Sequence, residues 1–168
     1  MKLYKLICHI NCIIQKIFFK IIYRNNIKIG RNTTWRKRFN ITADKNASII
    51  IGDNCFFNND CSINAIGKIE IGEGCLIGEN VKMYDHNHRF CKINIPIKNQ
   101  GFSVGQVIIG KHCWIGSNVI ILKGTNIGDN CVIGAGCIIN NNIPCNTIIK
   151  PKYDYEKQNL ILQERGNL

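Results

Sequence analysis

A six-residue unit dominates the middle of the chain. From Ile51 it reads IGDNCF, FNNDCS, INAIGK and, after a slip at Ile69-Glu70, IGEGCL and IGENVK, ending at Lys82. It resumes at Ile109 as IGKHCW, IGSNVI, ILKGTN, IGDNCV, IGAGCI and INNNIP, eleven hexads in all. Each opens on an apolar residue, usually continues with Gly or Asn, and places a small or modest apolar residue fifth. The pattern predicts a coil with three short flat faces, roughly 18 residues or three hexads per turn, stacked on its neighbours as parallel strands. First and fifth residues point inward, and Gly and Asn accommodate the tight corners.

The hexads also explain the cysteines. Of ten, Cys55, Cys61, Cys75, Cys113, Cys131 and Cys137 occupy the fifth slot, where a free thiol packs as a small hydrophobe. No Cys-x-x-Cys pair suggests zinc. The N-terminal apolar run is broken by Lys5, His9, Asn11, Gln15 and Lys16, and no cleavage site follows, so a reduced cytoplasmic protein is expected. No stretch is expected to reach the roughly 20 apolar residues that span a bilayer.

At 168 residues and 45% apolar content the chain fits one packed domain. The net charge of +11 is uneven: residues 1–40 hold ten Lys or Arg and no Asp or Glu. Such an end favours an anionic partner. No base-reading motif accompanies it, so nucleic acid is not expected.

IGENVKMYDHNHRF, followed by a loop and VIIGKHCWIGSNVIILKGTNIGDNCVIGAGCII, resembles the hexapeptide-repeat sugar O-acetyltransferases, including galactoside and maltose acetyltransferases. The resemblance covers about residues 41–150. It implies an all-β left-handed parallel β-helix, acetyl-coenzyme A as acyl donor, no metal, and a homotrimer with active sites between subunits. The organisation expected is a basic N-terminal segment over 1–40, the β-helix over 41–150 with an extended loop at about 87–106, and a tail over 151–168 with a short helix.

Acetylating a sugar hydroxyl needs a base, and histidine, with an unperturbed pKa of about 6.5, suits the task. The thioester is already activated, so a base and a backbone N–H for the oxyanion suffice. YDHNHRF, expected as a turn where the coil breaks register, offers His86 and His88. Counting ten residues from Gly78 favours His88; Asp85 or a nearby carbonyl could orient the imidazole. β-Helical carbonic anhydrases bind zinc through three histidines, and His86, His88 and His112 match the number, but the H-x-x-x-x-H pair is missing.

The resemblance further implies Asn58, with Tyr84 and Asp85, near the acceptor. Ser117 and Ala135 fall beside the pantetheine arm with Trp114 flat against it, and Asn140 and Asn141 stand near the nucleotide end. The family's closing G-x-P-A-[KR] is replaced by IIKPKYDYEKQ, so phosphate contacts shift to Lys150 and Lys152. An acidic acceptor-site residue is unmatched near Ala65 and Ile66, which points to a different sugar.

Leu3, Ile7, Ile10, Ile14, Ile17 and Ile21 follow 4,3 spacing, with Lys2, Lys5, His9, Lys16, Lys20 and Arg24 opposite, predicting an amphipathic helix. Three uses are open: a peripheral contact with an anionic membrane at its cytoplasmic face, a three-copy zipper, or a cap on the first coil. The expected function is transfer of acetyl to a sugar hydroxyl of a cell-surface glycan. The alternative is a non-catalytic β-helix that acts as a scaffold or a membrane-docking module.

Overall fold

The computed structural model describes residues 2–152. Three parallel sheets, of five, six and five strands, wall a triangular prism through which the chain winds about six times as a left-handed β-helix. Coil one runs through Ile27–Ile29, Thr34–Trp35 and Asn40–Ala43, coil two through Ser48–Ile51, Phe56–Phe57 and Ser62–Ala65, and coil three through Lys68–Ile71, Leu76–Ile77 and Lys82–Tyr84. Coil four takes Gln106–Ile109, Trp114–Ile115 and Ile120–Ile121, and coil five Thr125–Ile127, Val132–Ile133 and Ile138–Ile139. Ile143 and Ile148–Ile149 begin a sixth. The three segments of each coil lie on faces one, two and three.

The β-helix therefore starts at Ile27, one coil earlier than the expected boundary at residue 41. The missed coil reads IGRNTT and WRKRFN; the first keeps Gly30 in its second slot, and the second opens on Trp35 and carries Arg36 there instead. Arg31 and Arg38 pair with Asp53 and Asp60 of the next coil, so part of the N-terminal charge decorates the β-helix itself. The short helix expected within 151–168 falls outside the described residues, except that Pro151 and Lys152 are in no helix.

Opening residues stack in register down the interior, as in Trp35, Phe57, Ile77, Ile115, Ile133 and Ile149 on face two. The fifth-slot cysteines are buried beside them. They also hydrogen-bond: the Cys55, Cys75 and Cys113 thiols donate to the carbonyls of Gly72, Gly110 and Gly128 on the coil below, each at 3.1 Å. A corner carbonyl that points into the stack is thereby satisfied. Burial pushes the Cys61 and Cys137 thiols up, which keeps them in the unreactive protonated form. In native protein, a thiol reagent should therefore modify the exposed Cys91 and Cys145 rapidly and the other eight only on unfolding, as read by mass spectrometry.

The fourth hexad slot sits at the corner in the left-handed region. Asn54, Asn80, His112 and Asn118 have φ of 58°, 55°, 55° and 59°, a conformation that asparagine and histidine tolerate better than most residues. His112 is thus a corner residue, with its ring placed over Gly74 of the coil above. Among the described residues no three His, Cys, Asp or Glu side chains are grouped as a metal ion would require.

The N-terminal helix, α1 (Lys2–Tyr23), lies across the open end of coil one. Cys8, Cys12 and Phe19 are buried against it, with Gln15 and Tyr23 on the same side. The Phe19 ring joins Trp35 and Phe39 at 6.1 and 6.5 Å. Trp35 Nε1–H donates to Gln15 Oε1 at 2.6 Å, and the Tyr23 hydroxyl donates to the Ile41 carbonyl at 3.1 Å. The isoleucine seam read from the sequence points the other way: Leu3, Ile14 and Ile21 are 69%, 59% and 70% exposed. The stretch Leu6–Asn26 is also long and apolar enough, by length and composition, to cross a membrane, contrary to the expectation that none would be.

Candidate active site

Within YDHNHRF the chain bends at Asp85, and beyond it only His86–His88 is a strand. His86–His88 pairs antiparallel with Phe102–Val104 to form a two-stranded arm that leaves the corner between faces three and one at coil three. The carbonyl of Asp85 accepts the Gly105 N–H at 2.7 Å and closes the root of the arm. Farther out, Phe90 and Ile93 are 78% and 97% exposed, which is apolar surface suited to a covering partner.

Asp85 is fully buried at that root. Its carboxylate accepts the backbone N–H groups of Ile66 and Gly67 at 2.9 and 2.7 Å, and lies 2.9 Å from His86 Nδ1. A carboxylate only accepts, so Nδ1 donates, and Nε2 is left as the basic nitrogen of the ring. The Phe102 ring stands edge-on to the His86 imidazole at 5.2 Å. His88, on the same side of the strand, packs on Phe102 at 4.6 Å but has no hydrogen-bond partner among the described residues. The oriented imidazole is that of His86, whereas the residue count preferred His88.

Two contributors escaped sequence reading. Phe102 positions both rings from the returning strand. Gly67 lets the arm lie close, since a Cβ there would stand 2.6 Å from Val104 Cγ1. The signal for Gly67 was present: it fills a fifth slot that is otherwise apolar or threonine.

A groove of about 380 Å³ runs down the corner between faces two and three, lined by Trp114, Ser117, Ala135, Ile148 and Lys150 among others. Its floor is a glycine column. A Cβ on Gly78 or Gly116 would stand 2.6 Å from the backbone nitrogen of Ser117 or Ala135 on the coil below. The Ser117 hydroxyl accepts the Glu79 N–H at 3.2 Å. Trp114 is half exposed on face two between Leu76 and Val132.

Asn58 continues the same corner upward, one coil above Gly78, with its backbone N–H on the Ile77 carbonyl. Its Oδ1 accepts from Arg36 Nη1 and the Asn59 N–H at 3.1 and 3.0 Å. Tyr84 faces outward on face three at the arm root, next to Asn64. Asn140 and Asn141 are exposed at the arm's corner, two coils below it, and do not line the groove; nor does Lys152.

The expected site residues thus divide between two corners of one prism. Face three separates them, a width of about 20 Å for six extended residues.

Residues 106–141 match the family described as hexapeptide repeat of succinyl-transferase. The chain is 33% identical to the Escherichia coli protein named "Putative lipopolysaccharide biosynthesis O-acetyl transferase WbbJ" over 146 residues, which are 83% of this chain and 74% of that one. It is 34% identical to the E. coli galactoside O-acetyltransferase over 75% of this chain and half of that enzyme. Among solved structures, a maltose O-acetyltransferase from Clostridium difficile superposes with a TM-score of 0.58 at 34% identity, covering 77% of this chain and 67% of that one. A galactoside acetyltransferase in complex with coenzyme A gives 0.61 at 28%, covering 80% and 64%.

Proposed function

This chain belongs to the hexapeptide-repeat acetyltransferase family, and from that premise we propose that it moves an acetyl group from acetyl-coenzyme A to a hydroxyl of a cell-surface glycan or its precursor. It does so as a homotrimer with active sites between subunits. The observation that carries the reading is the division of the site: the oriented imidazole and the glycine-floored groove occupy different corners. A complete site takes the arm of one copy and the groove of its neighbour.

The groove suits coenzyme A because its floor is bare backbone, which admits a narrow amide-bearing chain, and because Lys150 stands at its lower end with Lys152 close in sequence to meet phosphate. When bound, acetyl-coenzyme A supplies an activated thioester. His86 Nε2 takes the acceptor hydroxyl proton as that oxygen attacks, and Asp85 holds the ring by Nδ1. The Asn58 amide, with its oxygen already occupied, has N–H groups to offer a sugar hydroxyl, and Tyr84 flanks the arm root. Asn140 and Asn141 reach the groove from the arm-bearing neighbour. Ten unpaired cysteines support a reducing compartment such as the cytoplasm.

The test is release of free thiol when purified protein meets acetyl-coenzyme A and extracted surface glycans, with the label located on the glycan by mass. Protein that neither binds acetyl-coenzyme A nor releases thiol with any glycan overturns the reading. For the assembly, a His86→Ala chain is unfolded and refolded with a chain whose groove is blocked by Ala135→Trp, an exposed lining position, each inactive alone. Equal mixing should restore about a quarter of wild-type activity, the share of interfaces that pair an intact arm with an intact groove. No recovery from mixed trimers excludes sites shared between subunits.

A further inference from the structure

Helix α1 carries three distinct stripes. One is glued to coil one by Cys12, Phe19 and the hydrogen bonds of Gln15 and Tyr23. The opposite stripe, Leu3, Ile7, Ile10, Ile14, Ile17 and Ile21, is 45–70% exposed. That is a contiguous aliphatic face along a helix of 22 residues, far more than scattered surface apolar residues. Along one edge between them runs a cleft of about 360 Å³ lined by Lys16, Lys20, Arg24 and Lys28. None of these four cations pairs with a carboxylate among the described residues, and residues 1–40 contain none to offer.

We propose that α1 docks the protein flat on an anionic phospholipid bilayer. The aliphatic stripe enters the acyl boundary, and the cleft of Lys16, Lys20, Arg24 and Lys28 receives lipid phosphates. Charge complementarity selects this occupant: apposing a second copy's helix would crowd its cations against these, whereas anionic headgroups neutralise them. The inner stripe selects the orientation. A spanning helix would have to leave coil one, exposing Trp35 and Phe39 and breaking the bonds of Gln15 and Tyr23, while carrying Lys16 and Lys20 into hydrocarbon. Lying flat, α1 keeps every one of those contacts.

The docking needs no catalysis, so it stands or falls apart from the acetyl-transfer reading. Full-length protein is sedimented with vesicles of phosphatidylcholine alone or with about one-third phosphatidylglycerol. Binding should be at least tenfold tighter to the anionic vesicles and weaken with salt. Lys20→Glu with Lys28→Glu should abolish the preference for anionic lipid, and Ile10→Glu with Ile14→Glu and Ile17→Glu should release the protein from both vesicles. These side chains are exposed, so circular dichroism should match wild type; a triple variant that misfolds is replaced by Ile14→Glu alone, for which a clear loss of binding is required. Equal binding to both vesicles, or binding unchanged in the variants, overturns the proposal. So does a fall in oligomeric mass in the isoleucine variants, which would make the stripe a self-association seam. Retention in membranes through an alkaline carbonate wash would make α1 a span and also refute it.

Discussion

His86→Ala is expected to lower acetyl transfer by roughly 100- to 10,000-fold, the range that a positioned general base contributes, with affinity for acetyl-coenzyme A and the thermal midpoint close to wild type. His88→Ala should cost less than about tenfold, since that ring contacts Phe102 and accepts no orienting bond. The ratio of the two variants is the measurement, taken at saturating donor so that binding does not mask the chemical step. Equal losses, or a larger loss at His88, would move the base to His88. Asp85→Asn tests the orienting contact. All three groups that meet this carboxylate are donors, Ile66 N–H, Gly67 N–H and His86 Nδ1–H, and an amide must set its own NH2 against one of them. The variant should lose both rate and stability, whereas His86→Ala should lose rate alone.

A large loss of stability should come from a single methyl group at Gly72. A Cβ there would stand 2.7 Å from the carbonyl carbon and oxygen of Gly110 and from the Lys111 nitrogen. These are backbone atoms of the next coil, tied to Gly72 itself through its N–H on the Ile109 carbonyl at 2.7 Å. They cannot swing aside as a side chain would, so the two coils must part and the flanking ladder bonds lengthen. Gly72→Ala should cost about 3 kcal/mol, at the upper end of overpacking penalties, and lower the thermal midpoint by roughly 6–12 °C. Gly105→Ala is the control. Its Cβ meets nothing closer than the Gly124 nitrogen at 3.2 Å, and its cost should stay under about 1 kcal/mol. A Gly72→Ala protein as stable as the control would refute the close-approach account of the second hexad slot.

Both predictions mark how far sequence reading reaches. The second slot of the hexad reads as glycine, but the repeat cannot say whether φ or proximity demands it. At Gly72 it is proximity, a matter of the coil below. The two histidines were likewise legible as a pair, and counting from Gly78 placed the base at His88. The count carries no record of contacts, and the proposal of His86 as base rests on one: Asp85 turns inward to bind Ile66 and Gly67 of the preceding coil, and its neighbour in sequence, His86, takes the third site on the carboxylate. For α1 the isoleucine spacing was read correctly as one face of a helix, yet the face that packs is the smaller one of Cys8, Cys12 and Phe19. Aromatic contacts with Trp35 and Phe39 choose it, and no periodicity reports what waits at the end of coil one.

By itself the sequence determined most of what repeats: the three-faced coil, the inward rows and the place where the arm interrupts them. Those features are local, each hexad meeting the same backbone demands as the last, so a short window contains the cause. The tertiary structure alone decided the carboxylate that orients His86, the division of imidazole and groove between corners, and the face of α1 left bare. Each depends on which residues stacking brings together across 18 to 38 positions of chain, distances over which the one-dimensional pattern carries no record of contact.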